Sequence, residues 1–523
     1  MIRRIYSSRA VLACISRALL LLLLCAAASQ AQSVGRSRSV APEQRTARYF
    51  ESLRKSPPQQ LAFLLRMPKG GDLHSHLSGA VYAESYIRWA ADKGLCIDTL
   101  KLTLSLPPCD AEANQLPASN ARSNPVLYRQ LIDAWSMRYW QYSGQNGHDK
   151  FFDAFGKFSV ATYGQTGQML AEAVKRAAKG RVSYLELMLT PDEGASTQIG
   201  SREDCGWDGD PAATLNKLKQ CGIDEASVTA VKALRKAEEE KDRLLKCGTP
   251  QADPGCAVTV RYVSQVSRGA ALSPVFAQMV TGFALANDPA SKVVALNLVQ
   301  PEDGLASMEN FSLHMRMLGF LRPLYPKAHL TLHAGELAPG LVPPDGLSFH
   351  IRESVMIARA DRIGHGVDIM HEDDAQELLK EMARRNVLVE ICLTSNDVIL
   401  GVSKEQHPLS TYMQYGVPLA LATDDEGISR SEISREFLKA AEEQGLGYVQ
   451  LKTMARNSLQ YAFLPGASLW RDARRFIPVP QCARNLPGTT TLSNACREYL
   501  ASSEKARLQW KLEEDFRTFE SQY

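Results

Sequence analysis

Short apolar runs recur along the chain between residues 70 and 425 and alternate with stretches in which apolar positions repeat every three or four residues. Most of these runs are apolar at consecutive positions, which is typical of parallel strands covered on both faces. The eight runs are "GGDLHSH" (70–76), "VSYLELML" (182–189), "VTVRYVSQV" (258–266), "KVVALNLV" (292–299), "HLTLHAGE" (329–336), "DRIGHG" (361–366), "VLVEICLTS" (387–395) and "PLALATDD" (418–425).

Helical stretches lie between many of the predicted strands. Examples are "TGQMLAEAVKRAAKG", "HEDDAQELLKEMARRN" and "RSEISREFLKAAEEQG", which end at a Gly or Asn that can stop a helix. Eight strands with helical crossovers predict a (β/α)8 barrel of the TIM type. The 523 residues, 45% of them hydrophobic, are enough to build one large domain of this kind.

Two connections are too long for simple crossovers. We expect a barrel over residues 48–465 with insertions at about 97–165 and 190–257, followed by a helical C-terminal extension, 466–523. The second insertion is expected either to cover the active site or to mediate dimerisation, so a homodimer is one of the expected states.

Residues 1–31 have the composition of a secretory signal peptide. Four arginines and no acid precede the run "ALLLLLLCAAA", and small residues follow it. An uncleaved membrane anchor is the alternative, although the run is short for a bilayer span. We therefore predict a secreted or periplasmic protein in which a flexible leader, residues 32–47, precedes the barrel.

Loss of the signal changes the formal net charge from +3 to −1, because four arginines are removed. A nearly neutral chain gives no basis for binding nucleic acid or a membrane surface by charge. No later segment has the length and hydropathy of a transmembrane helix.

Eight of the nine remaining cysteines form close sequential pairs, and export permits disulfides. We predict the bonds Cys96–Cys109, Cys205–Cys221, Cys247–Cys256 and Cys482–Cys496. The ninth, Cys392, lies in an apolar run and is predicted to be a buried free thiol. The spacings do not resemble a zinc ribbon.

Histidine and carboxylate side chains occur at the carboxyl ends of several predicted strands. His74 and His76 point to one side of the first strand, because alternate residues share a face. His333 lies near the end of the fifth strand and Asp424 at the end of the eighth, and barrel active sites occupy this end. Three imidazoles and a carboxylate suit zinc with a place left for water. We predict one Zn²⁺ per chain, bound by these four residues.

Two further residues could do acid–base chemistry there. Glu336 lies three residues after His333 and could donate a proton, and His365 could act as a base that orients water. Taken singly, His365 could be a core histidine, Glu336 a surface acid, and Asp424 or Asp425 a helix cap. Their shared position at strand ends favours a catalytic site.

At this point the chain resembles a known family. The segments "MPKGGDLHSHLSGA", "LHAGE", "RIGHG", "EICLTSN" and "LATDDEG" are similar to the ordered motifs of the adenosine deaminase family, within the metal-dependent amidohydrolases. The resemblance covers roughly residues 48–465. The leader, "MPKGGDLHSH" and the cysteine-bearing insertion are more similar to the secreted, growth-factor-related members than to the cytosolic ones.

The resemblance implies the same four zinc ligands and a hydrolytic deamination of adenosine or 2′-deoxyadenosine to inosine and ammonia. Glu336 would protonate N1 of the purine, and His365 and Asp424 would steer the metal-activated water to C6. Asp425 would accept a hydrogen bond from the protonated form of N7.

The sequence departs from the family at two predicted substrate-binding positions. Ser78 stands where cytosolic members usually carry an Asp that contacts the ribose. Gln300, followed by Pro301, stands where the family tends to have a Gly close to N3.

Two alternatives to adenosine deamination stay open. One is a deaminase of another purine or of a modified adenosine. The other is an extracellular binding or signalling protein built on a deaminase-like scaffold.

Overall fold

The computed structural model describes residues 41–523, and eight parallel strands form its central barrel. In chain order they are β1 (Gly70–His76), β2 (Val182–Leu189), β3 (Thr259–Ser267), β4 (Val293–Val299), β5 (His329–Ala334), β6 (Arg362–His365), β7 (Leu388–Ile391) and β8 (Leu419–Leu421). Each strand pairs with the next one in the sequence. All eight correspond in position to the predicted runs.

The first and last strands meet just beyond β8. A bridge joins Ser75 to Asp424. The His76 amide donates to the Asp424 carbonyl at 3.0 Å, and the Asp424 amide donates to the His74 carbonyl at 2.8 Å. The predicted (β/α)8 barrel is therefore confirmed, and its closure places two histidines beside an aspartate.

The prediction of a strand over 387–395 is wrong at its end. β7 stops at Ile391, and a helix, Leu393–Leu400, begins two residues later. Ser395 therefore lies in the helix and not in the sheet, and its hydroxyl donates to the Asp424 carboxylate at 2.7 Å.

Helices surround the barrel, and their apolar faces share one core with the strands. Those that follow the strands are Leu77–Ala80, Ala83–Asp92, Thr166–Lys179, Leu272–Asn287, Leu305–Leu321, His350–Met356, Ala375–Arg385, Leu393–Leu400, Leu409–Tyr415, Glu426–Ser429, Ile433–Glu443 and Tyr448–Gln460. Within residues 41–523, no helix combines the length and hydropathy that a membrane crossing requires.

The two insertions differ in structure. The first contains a three-stranded antiparallel sheet and two main helices: Cys96–Asp98, Thr103–Ser105, Gln115–Pro117, Pro125–Ala134 and Gly147–Phe158. The second is helical: Ala195–Gly200, Pro211–Gln220 and Asp224–Leu245. Its longest helix packs on the barrel helices Thr166–Lys179 and Leu272–Asn287.

Both ends of the described chain pack on the barrel. The tail has a short hairpin and two helices: Trp470–Asp472, Ile477–Pro478, Asn494–Ser502 and Glu504–Glu520. Near the other end, helices Pro42–Ser52 and Pro57–Leu64 precede β1. Residues 42–47, predicted to be a flexible leader, are therefore helical; Phe50 is fully buried, and Glu43 pairs with Lys452 at 2.7 Å.

Four disulfides stabilise the insertions and the tail, and their pairing confirms the prediction. They are Cys96–Cys109, Cys205–Cys221, Cys247–Cys256 and Cys482–Cys496. Cys392 is a buried free thiol, as expected. The predicted signal peptide, residues 1–31, lies outside the described residues.

Candidate active site

Three imidazole nitrogens and one carboxylate oxygen converge at the carboxyl end of the barrel. The Nε2 atom of His333 lies 3.1 Å from that of His74 and 3.2 Å from that of His76. Asp424 Oδ1 lies 3.4 and 3.3 Å from the same atoms of His74 and His76, and it is buried without a hydrogen-bond partner.

These separations fit donor atoms that share one zinc ion. At tetrahedral angles, two ligand atoms about 2.0 Å from zinc stand about 3.3 Å apart. Lone pairs and negative charges at this distance repel one another unless a cation or a proton lies between them. The donor set of three nitrogens and one oxygen is also the kind that zinc prefers.

The other ring nitrogen of each histidine has a fixed partner. His74 Nδ1 lies 2.6 Å from Glu390, and His333 Nδ1 lies 2.8 Å from the Asn297 side-chain oxygen. The Gln265 amide lies 2.9 Å from His76 Nδ1. The acceptor oxygens of Glu390 and Asn297 hold the rings of His74 and His333 so that each Nε2 faces the common centre, as second partners of metal-binding histidines do.

Glu390 is itself held by a buried cation. Arg362, about 1% exposed, pairs with Glu390 at 2.6 Å and also with Glu186. Burial alone would raise the pKa of Glu390, but Arg362 and the hydrogen bond with His74 outweigh it and hold the pKa at about 2. Glu390 therefore stays ionised opposite His74.

Glu336 and His365 lie beside this cluster. Glu336 is buried, and its carboxylate is 3.7 Å from His365 Nε2. Burial is the main reason that the pKa of Glu336 rises to about 8, and the charges of Asp424 and Glu302 add to it. Glu336 is thus a carboxyl group that can carry a proton near neutral pH.

His365 ends β6 with a positive φ of 66° and is fully buried. The Asn396 amide lies 2.9 Å from its Nδ1, and His407 contacts Asn396 at 3.0 Å. Nε2 is left without a partner, and burial lowers the pKa of His365 to about 3, so the ring is neutral. Donor atoms of His365, His74, His333 and Asp424 all lie within 4.8 Å of one another.

A cavity of about 500 Å³ opens onto these groups. The three predicted substrate-binding residues, Ser78, Gln300 and Asp425, all line it, as do Glu336 and His76. Its apolar wall includes Phe151, Phe152 and Phe155 from the first insertion. No residue of the second insertion, 190–257, lines it.

The backbone constrains two of the residues that line the cavity, Gln300 and Asp425. Gln300 has a φ of 81°, which a glycine adopts without strain, and its side-chain oxygen accepts from the Gly269 amide at 2.9 Å. Gly79 packs against Asp425 so closely that a Cβ there would lie 1.4 Å from Oδ1.

Sequence reasoning missed the residues that orient the histidines. Glu390, Glu186, Arg362 and Asn297 are fully or almost fully buried; Arg362 begins β6, and each of the others interrupts a mainly apolar strand. A lone charge in a run such as "VLVEICLTS" is the signal that could have found them, because a buried charge needs a partner.

Comparison with known proteins gives a consistent result. The sequence model of the adenosine deaminase family matches residues 138–469. The adenosine deaminase of Serratia proteamaculans (strain 568) is 39% identical over 136 residues, and that of Escherichia coli (strain SE11) is 37% identical over 137 residues. Each match covers 26% of this chain and 38% of the relative, well under two thirds of the relative's length.

The barrel is also similar to that of a solved structure. The apo N6-methyl-AMP deaminase of Arabidopsis thaliana has a TM-score of 0.51 and 19% identity, covering 77% of this chain and 94% of that one. At this identity the likeness is one of fold. The family match, in contrast, extends over more than half of the sequence. The chain therefore belongs to the adenosine deaminase family.

Proposed function

We propose that this protein is a zinc-dependent deaminase that hydrolyses adenosine and 2′-deoxyadenosine to inosine and ammonia. The observation that carries the proposal is the placement of Glu336 and His365 beside four converging donor atoms, next to a cavity that Glu336 lines. A proton donor, a neutral imidazole and a cation site are the groups that hydrolysis of an amino group from a purine needs.

One zinc ion would be held by His74, His76, His333 and Asp424. When bound, zinc lowers the pKa of a coordinated water to about 7 and so supplies the nucleophile that replaces the 6-amino group. Ser395 holds the second oxygen of Asp424 at 2.7 Å, which leaves Oδ1 for the cation.

The chain's own residues would handle the protons. Glu336, with its raised pKa, would donate to N1 of the purine and make C6 more electrophilic. Neutral His365 would orient the attacking water. Burial and the charge of Asp424 raise the pKa of Asp425 well above its ordinary value, so one proton can be shared between Asp425 and N7.

The charge of the cavity favours a neutral nucleoside over a nucleotide. Among the described residues that line it, none is Lys or Arg, whereas Glu336, Asp424 and Asp425 are acids. A phosphate group would meet no counter-charge there. The Ser78 hydroxyl would bond a sugar oxygen, and the phenylalanine wall would contact the apolar faces of the ligand.

We also propose that the protein acts outside the cytoplasm. Four disulfides in one chain support an oxidising compartment. Cleavage of a signal peptide, similarity to the secreted growth-factor-related members and a homodimer remain predictions from the sequence.

A substrate panel tests the proposed function. Adenosine, 2′-deoxyadenosine, AMP and adenine would be compared by the fall in ultraviolet absorbance and by release of ammonia. We expect kcat/KM for the two nucleosides to exceed that for AMP and adenine by about 100-fold or more, because a missing counter-charge or a missing sugar contact costs several kcal/mol. Adenosine turning over no faster than adenine would contradict the proposal.

Gly79→Ala is expected to lower kcat/KM for adenosine about 100-fold. The new Cβ would overlap Asp425 Oδ1 and push that carboxyl away from the purine. Gly156→Ala is the matched control, because no atom lies within 4 Å of its Cβ position. If the two variants had equal kcat/KM, the present position of Asp425 would not be required for catalysis.

A further inference from the structure

One buried carboxylate holds the backbone that carries Glu336. Glu302 Oε1 accepts from the Gly335 amide at 3.0 Å, and Oε2 accepts from the Glu336 amide at 2.9 Å. These are the first residues after β5, where the chain turns out of the barrel with a φ of 73° at Gly335. The two bonds therefore fix the turn from which the Glu336 side chain projects.

A histidine from a different element holds Glu302 in place. His350 begins the helix His350–Met356, and its Nδ1 lies 2.5 Å from Glu302 Oε1. The ring is fully buried and stacks on Phe311, with centroids 3.8 Å apart and planes 3° from parallel. A ring confined in this way gives Glu302 little freedom to move.

Glu302 acts from behind the site and not from within the cavity. Neither Glu302 nor His350 is among the residues that line the cavity, although Gln300 and Pro301 are. Buried Arg268 adds a second link, because its guanidinium donates to the Gln300 carbonyl at 2.9 Å and to the His333 carbonyl, near the end of β5, at 3.2 Å. The end of β5 and the turn after it are thus both tied to the loop after β4.

We propose that Glu302 and His350 are positioning residues, which aim the Glu336 carboxyl at the substrate by holding the Gly335 and Glu336 amides. This inference rests on the proposed deaminase function. It predicts that loosening the turn lowers kcat more than it changes KM, because a misplaced proton donor weakens the chemical step.

Glu302→Gln is the first test, since it keeps the shape but places an NH₂ group against one of the two backbone donors. We expect kcat for adenosine to fall about 10- to 100-fold with little change in KM or in zinc content. Asp192→Asn is the matched control, because buried Asp192 also accepts from two backbone amides, at 3.2 and 2.7 Å, and lies outside the cavity. It should lose comparable stability but keep its kcat.

Variants of His350 keep the inference testable if Glu302→Gln folds poorly. His350→Asn retains a donor close to the Nδ1 position and should restore most of the kcat that His350→Leu loses. If Glu302→Gln and Asp192→Asn had equal kcat, or if the two His350 variants did, the inference would be overturned. Activity of the wild-type protein would still support the proposed function in that case. A wild-type protein without deaminase activity would overturn the proposed function, and this inference with it.

Discussion

Glu336→Gln is expected to lower kcat for adenosine by about 10³-fold or more, while zinc content and the affinity for inosine stay near wild type. The amide has the size of the acid but cannot give a proton to N1, and general acid catalysis contributes roughly 10²- to 10⁴-fold. Steady-state kinetics, metal analysis and product inhibition by inosine measure the three quantities separately.

The control for this variant is Glu436→Gln. Glu436 is buried, and burial raises its pKa to about 7, but it does not line the cavity. Its loss should reduce stability and leave the chemical step intact. A Glu336→Gln protein with near wild-type kcat would show that another group protonates the ring, and a cell or partner effect surviving in this variant would favour the binding alternative.

The positions of the reacting groups could be predicted because parallel strands share a polarity. His74 and His76 lie two residues apart in β1, and His333 and Asp424 lie at equivalent ends of β5 and beyond β8. Once eight apolar runs are read as one barrel, their carboxyl ends must meet in space. Because the strands are parallel, residues that are hundreds of positions apart in the sequence come into contact.

The partners of these groups could not be predicted in the same way. Glu390 contacts both His74 and Thr331, and these contacts depend on the register of β7 and on which residues face the barrel interior. Glu302 and His350 belong to a loop and a helix start, for which no apolar period sets the geometry. Apolar patterning shows where a strand runs, but side-chain pairing inside the barrel depends on closure and shear.

The first insertion also has a role that its sequence does not reveal. Helix Gly147–Phe158 supplies the phenylalanines of the cavity wall, and His148 joins it to Asp303 at 3.0 Å. A segment that looks like a surface addition thus forms part of the pocket. The second insertion has a similar length but packs on the outside of the barrel.

Removal of zinc is expected to lower kcat by about four orders of magnitude or more and to destabilise the fold. Without the ion, the nucleophile is ordinary water with a pKa of about 15.7 in place of about 7. The lone pairs of three imidazoles and the Asp424 carboxylate would also face one another, so binding couples to folding. At a free zinc concentration about 100 times Kd, the free energy of unfolding should rise by about 2.7 kcal/mol.

Two histidines of the barrel provide a matched pair for this experiment. His76→Ala removes one of the converging nitrogens and should abolish stoichiometric zinc binding, the thermal shift on adding zinc, and activity. His329→Ala alters the opposite end of β5, where His329 stacks on Phe463 at 4.2 Å, and should keep one zinc per chain and wild-type kcat. Because both substitutions remove an imidazole from a barrel strand, only the position of the ring separates them. Undiminished turnover by the chelated protein would rule out a catalytic ion, whereas zinc retained by His76→Ala would favour a cation held by His365 in place of His76.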